Sequence, residues 1–142
     1  MTALAIFCTI LTLGMVTQEV IKNNRQINHE MKMKMLLPTI NESADEIVNG
    51  VCEASGVTIE QIKSKSRKRE IVIARQIIQW MIAEKYKESK VEINHKLIGE
   101  KVNRDRTGVY YSISQVEGAI KVRDRYVLDI INKYHGSRKQ AA

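Results

Sequence analysis

Apolar residues recur at helical spacing through most of residues 43–142. Ile71, Ala74, Ile77, Ile78, Met81 and Ile82 repeat at steps of three and four. That is the period of one helix face, and it predicts a long core helix from about Glu70 to Tyr86. Ile73 and Trp80 widen its apolar surface, Trp80 is expected in the core, and the polar stretch Lys87–Glu92 ends the helix. Upstream, Ser43 reads as an N-cap, with Asp45 and Glu46 in the first turn. Ile47, Val51 and Cys52 share one face of that helix, and Gly56 stops it. Thr58-Ile59-Glu60-Gln61 has the capping-box spacing and opens a short helix. Downstream, His95–Val102 reads as a short helical segment, followed by a turn at Asn103-Arg104-Asp105. A helix from Thr107 towards Lys121 carries Val109, Tyr110, Ile113, Val116 and Ile120, with one of Tyr110 and Tyr111 expected in the core. A last helix, about Val122–Tyr134, carries Val127, Leu128, Ile130 and Ile131, and the tail from His135 is expected to fray. A short helix, a tight turn and a longer helix on an apolar helix make a helix-turn-helix layout. Any small helical bundle has the same periodicity.

Residues 1–42 differ from this body. The first 17 carry no charge, and residues 18–42 are polar, rich in Asn and Met, and weakly patterned. The apolar run Ala3–Val16 is short of the roughly 20 residues a transmembrane helix needs. No Lys or Arg precedes Lys22, so it lacks the basic start of a secretory signal. It reads as a helix packing on the body or on a second subunit, as a membrane anchor, or as a segment outside the functional chain. The cluster Met31, Met33 and Met35 offers initiation just ahead of the body in the last case. The chain is thus expected to divide into an extension over 1–42, a helical domain over 43–135 and a tail over 136–142.

Composition narrows the function classes. The length of 142 residues is that of one domain. Two cysteines, Cys8 and Cys52, are too few for a disulfide scaffold or a cysteine-built zinc site. One proline and seven glycines argue against a fold of many tight turns. The chain carries 23 Lys and Arg against 16 Asp and Glu, a net charge of +7, which favours a polyanionic partner. Within Lys63–Arg75 the cations Lys63, Lys65, Arg67, Lys68, Arg69 and Arg75 face only Glu70. Ser64 and Ser66 alternate with them, and hydroxyls beside Lys and Arg suit contact with phosphate. A solvated basic loop would have the same composition. Arg75 and Gln76 lie one turn into the core helix, where a helix start beside a basic loop can grip phosphate.

The second polar cluster is Arg104, Asp105, Arg106 and Thr107, at the start of the longer helix of the pair. Arg pairs with guanine, Asp accepts from cytosine N4 and Thr touches a thymine methyl. Asp105 can also simply cap its helix. His29, His95 and His135 have no metal-ligand spacing, and neither a Ser-His-Asp nor a Cys-His grouping is present. No enzyme activity, cofactor, metal or nucleotide is expected.

These residues together resemble a family. Ser64-Lys65-Ser66-Arg67-Lys68-Arg69 followed by Ala74-Arg75-Gln76 resembles the basic loop and core-helix start of the C-terminal DNA-binding domain of DnaA, the bacterial chromosomal replication initiator. Ile98-Gly99 and then Arg104-Asp105-Arg106-Thr107-Gly108-Val109 resemble its signature Gly-Gly-Arg-Asp-His-Thr-Thr-Val. Gly56-Val57-Thr58-Ile59-Glu60-Gln61-Ile62 resembles its preceding short helix. The likeness covers about residues 44–120 in unbroken order. It implies an all-α, Trp-repressor-like helix-turn-helix bundle that binds double-stranded DNA. By the same likeness Arg67 reaches the minor groove, and Lys65, Arg75 and Gln76 hold the backbone. Asp105, Arg106 and Thr107 face bases. Apart from the likeness, Lys68, Arg69 and Arg104 are also expected to contact DNA, although Arg104 could simply be solvated.

The sequence departs from the family at several places. Arg106 replaces its His, Gly108 its second Thr, and Val102 and Asn103 its two glycines. The link Lys85–Asn94 is longer. These changes bear on recognition of the family's DnaA box more than on DNA binding itself. The sequence holds no Gly-x-x-x-x-Gly-Lys-Ser/Thr loop, so a stand-alone domain without ATP hydrolysis is expected. Such a domain suits a phage or mobile-element protein, or a regulator competing for initiator sites. The reading is sequence-specific duplex binding in replication initiation or its regulation, in the cytoplasm. The alternative is a small basic helical interaction protein held at a membrane through residues 3–16.

Overall fold

The computed structural model describes residues 2–141 as six helices: α1 Thr2–Ser55, α2 Ile59–Lys63, α3 Arg69–Glu88, α4 His95–Lys101, α5 Arg106–Lys121 and α6 Arg125–Ala141. No strand occurs among the described residues. The chain divides into two units, Met1–Pro38 and Thr39–Ala142. The first is the leading part of α1. Pro38 lies inside that helix, and without an N–H it leaves the Lys34 carbonyl without its helical donor.

The Thr39–Ala142 unit is built around α3, which packs against α2, α4, α5 and α6. Its apolar face, Ile71, Ala74, Ile77, Ile78, Met81, Ile82 and Tyr86, is buried as the spacing predicts. Ile47, Val51 and Cys52 of α1 join this core, with Ile98 and Val102 from the α4 region, Val109 and Val116 of α5, and Val127, Ile130, Ile131 and Tyr134 of α6. Gly56 has φ +71° and follows the last residue of α1, the left-handed stop that glycine adopts without strain. The Thr58 hydroxyl accepts from the Gln61 N–H, and the Gln61 side chain accepts from the Thr58 N–H.

Five local expectations are corrected. Ser43 caps nothing: α1 runs through it, because Gln, Glu, Lys, Met and Leu of residues 18–42 are good helix formers. The tail does not fray at His135, since α6 continues to Ala141. Arg138 there donates to the Tyr134 hydroxyl and reaches Glu46, and the Tyr134 ring lies where a Cβ on Gly50 would stand. The last helix starts at Arg125, where Asp124 accepts from the N–H groups of Tyr126 and Val127. Trp80 is half-buried, and Tyr110 and Tyr111 are both exposed. Tyr110 finds its partner at the surface, stacked on His95 with ring centroids 3.8 Å apart.

Of the buried polar side chains Arg75, Gln79 and Ser112, Gln79 is the one without a partner among the described residues. Gln79 is fully buried on α3, and neither its Oε1 nor its Nε2 makes a hydrogen bond. A buried amide without partners carries its desolvation penalty uncompensated. Gln79→Met keeps the length of the side chain and removes both polar atoms. It is expected to stabilise the unit by about 1–2 kcal/mol in urea unfolding; a loss of stability would mean that the amide is satisfied in solution.

Candidate nucleic-acid interface

Two exposed segments meet on one side of α3. The first is the loop between α2 and α3. Its serines fold it: Ser64 Oγ donates to the Gln61 carbonyl at 2.6 Å and accepts from the Ser66 N–H at 3.2 Å, and Ser66 Oγ lies 3.4 Å from the Lys68 N–H. These hydroxyls, expected to meet phosphate, therefore serve as turn formers within the loop.

Arg75 sits behind the loop rather than on it. Its side chain is buried, and its guanidinium donates to four backbone carbonyls. Nε bonds Ile62 at 2.5 Å and Nη1 bonds Ser66 at 2.8 Å. Nη2 bonds Gln61 at 3.0 Å and Ser64 at 2.8 Å. That engages four of the five guanidinium N–H groups, and it corrects the expectation that Arg75 grips phosphate directly. Burial first, then the charge of Arg104, pull the Arg75 guanidinium below its ordinary pKa, and it remains a cation. With the carbonyls turned inward onto Arg75, the side chains of Lys65, Arg67, Lys68 and Arg69 stand exposed. Arg69 also lies over the Tyr126 ring, 5.9 Å from its centroid.

The second segment is the turn between α4 and α5. Gly99 makes it possible. The Arg104 N–H donates to the Gly99 carbonyl at 2.9 Å, and a Cβ on Gly99 would collide with the Arg104 carbonyl oxygen. Asn103 takes the left-handed conformation, φ 55°, which Asn tolerates better than most residues. Asp105 caps α5 by accepting from the Gly108 N–H at 2.9 Å. Gly108 leaves room for it, since a Cβ there would lie 2.8 Å from Asp105 Oδ1.

The two segments are tied together across 40 residues of sequence. Asn103 Nδ2 donates to the Lys63 carbonyl at 3.1 Å, and Arg104 Nη2 to the Ser64 carbonyl at 3.0 Å. Arg104 and Arg75 thus share one loop carbonyl, and Arg104 is half-buried in this role rather than free at the helix tip. Between the segments runs a cleft of about 410 Å³, with Lys65, Arg67, Gln76, Gly108 and Tyr111 among its lining residues. Asp105, Arg106 and Thr107 are exposed at the start of α5. Arg106 lies 5.8 Å from the Tyr110 ring centroid and 3.4 Å from its hydroxyl, which raises its pKa further. Burial, and then the charge of Arg106, lower the pKa of His95 beneath the same ring.

The cleft brings Lys65, Arg67 and Gln76 together with Gly108 and Tyr111 of α5, and Arg75 and Arg104 act there as positioning groups. Lys68, Arg69, Asp105, Arg106 and Thr107 are exposed outside its lining. Sequence reasoning missed the ties from Asn103 and Arg104; the helix-breaking polar turn was their one visible signal. Among the described residues no group of three or more His, Cys, Asp or Glu is placed to hold a metal. No described helix is long and apolar enough to cross a membrane.

Known proteins share this stretch of sequence. The family model described as "Bacterial dnaA protein helix-turn-helix" matches residues 44–116. The chromosomal replication initiator protein DnaA of Chloroflexus aurantiacus is 31% identical over 83 residues, which are 58% of this chain and 16% of that protein. The DnaA of Chloroflexus aggregans is 32% identical over 74 residues, 52% of this chain and 15% of that protein. That of Bacteroides fragilis is 26% identical over 114 residues, 77% and 23% respectively. This chain thus spans less than a quarter of each of these relatives. The matched residues contain the capping box, the basic loop, α3, the Gly99 turn and most of α5, and the chain belongs to the bacterial DnaA helix-turn-helix family.

Proposed function

We propose that the chain binds double-stranded DNA selectively, in replication initiation or its regulation, as a cytoplasmic and non-catalytic protein. The observation that carries this reading is the double tie between the basic loop and the α4–α5 turn. It fixes the distance between a cluster of exposed cations and an exposed helix start. Cations on a rigid loop supply affinity by displacing counterions from phosphate. A helix N-terminus set beside them supplies base contacts in the major groove. In this reading Arg67 enters the adjacent minor groove, Lys65, Lys68, Arg69 and Gln76 hold the backbone, and Asp105, Arg106 and Thr107 read bases. Gly108, where the family has Thr, offers no side chain to a base, so a site other than the usual DnaA box is expected.

The two groups of residues separate in experiment. Binding sequences are first selected from a random duplex library with the full chain. Arg106→Ala and Thr107→Ala should each reduce discrimination between the selected site and its single-base variants by about 1–3 kcal/mol. Asp105→Asn keeps the cap and should change preference at one position only. Unchanged preference in all three variants would refute base reading by α5.

A further inference from the structure

Residues 6–31 of α1 carry a seam of exposed apolar residues. Ile6, Ile10, Leu13, Thr17, Val20, Asn24, Ile27 and Met31 follow one another at alternating steps of four and three. The mean step is the coiled-coil period, with Ile10, Thr17, Asn24 and Met31 at the a positions and Ile6, Leu13, Val20 and Ile27 at the d positions. The six apolar members are 50–68% exposed, an arrangement a lone helix in water does not favour. Glu19, Lys22, Arg25 and His29 fall on the b, c and f positions, away from the seam; Glu30 alone flanks it, at a g position that faces Met35 at e in a parallel pair. A second copy could therefore approach without bringing like charges together. Beyond Met31 the seam meets Lys34 and then Pro38, which end it.

We propose that this seam pairs with the same seam of a second copy, in a parallel, in-register two-stranded coiled coil. Asn24 decides the orientation. In a parallel pair the two Asn24 side chains face each other at an a position and can hydrogen-bond, the arrangement that fixes register and two-strand pairing. An antiparallel overlap of the same stretch would set Asn24 against Leu13 and leave its amide buried without a partner. The seam is about 38 Å long at the helical rise. Covering it and its flanks removes roughly 800 Å² from each helix, the size of a standard specific interface. The dimer carries two DNA-reading units, so binding to tandem sites gains from effective concentration.

The mass of the full chain in solution, by light scattering or sedimentation equilibrium at about 50 µM, tests this. A mass twice the 16.3 kDa of the chain is expected. Val20→Lys with Ile27→Lys should give the monomer while the thermal transition of the Thr39–Ala142 unit stays in place. Ile10→Cys in a Cys8→Ser background should oxidise to a disulfide-linked dimer, because only the parallel register brings the two positions together. A monomeric wild type, a trimer or larger assembly, a dimer indifferent to the lysine pair, or a dimer that fails to cross-link would each overturn the proposal. So would sedimentation with vesicles of mixed neutral and anionic phospholipid in place of self-association.

Discussion

Gly99→Ala lowers the stability of the Thr39–Ala142 unit by about 3 kcal/mol, and its melting temperature by about 15 °C. The added methyl has no free rotamer to escape into. It meets the Arg104 carbonyl oxygen and then the Val109 side chain. The first of these is backbone, held in place by the Arg104 N–H bond to the Gly99 carbonyl. Relief therefore requires α4 and α5 to move apart. Because Arg104 and Asn103 tie this turn to the basic loop, the same change should loosen that loop. Thermal unfolding followed by circular dichroism gives the first effect. Faster amide exchange at Ser64–Lys68 in the folded protein gives the second. A melting temperature within a few degrees of wild type would show that the turn has slack the structure does not contain.

Arg75→Ala produces a loss of similar size by a different route. The guanidinium leaves four carbonyls at once: those of Ile62 and Ser66 lose their donor, while Ser64 keeps Arg104 and Gln61 keeps Ser64. Each unsatisfied group costs about 1 kcal/mol or more where water cannot reach it, so a loss of about 3 kcal/mol is expected. Lysine does not rescue it, because one ammonium cannot follow the planar fork that reaches carbonyls on four residues. Affinity for any duplex should fall at least tenfold, although the side chain is not free to touch phosphate. The discriminating measurement is made without DNA. Amide exchange across residues 61–66 should accelerate in Arg75→Ala. If Arg75 acted only as a phosphate contact, exchange in the free protein would match wild type while affinity still fell.

The elements of residues 56–121 were legible in the sequence, and the reason is local. Thr58 with Gln61, Gly56, and the three- and four-residue spacing on α3 each act within a turn or two of helix. Their outcome depends little on the rest of the chain. The roles of Arg75 and Arg104 were not legible. A basic residue at a helix start has the same sequence signal whether it points at solvent or turns inward on a loop. Only the fold decides, by bringing carbonyls 9 to 14 residues away within reach of Arg75. Ser43 misled because a good cap residue also fits an exposed or half-buried helix position. The leading part of α1 was hard to read for another reason. One set of its apolar residues repeats at 3.5 among others, such as Leu11 and Met15, that do not, and a seam that needs a second helix has no counterpart within one chain.

We propose that the basic loop and the start of α5 form one DNA-reading face. The most direct test is the affinity of the full chain for a selected duplex across salt concentration, beside a scrambled duplex and the Arg67→Ala variant. Four to five phosphate contacts predict a slope of log K on log salt of about −4 for wild type on both duplexes. The selected site should stay tighter at every salt concentration, and Arg67→Ala should weaken both and make the slope shallower by about 1. A flat salt response, or equal affinity for the selected and scrambled duplexes, would contradict it.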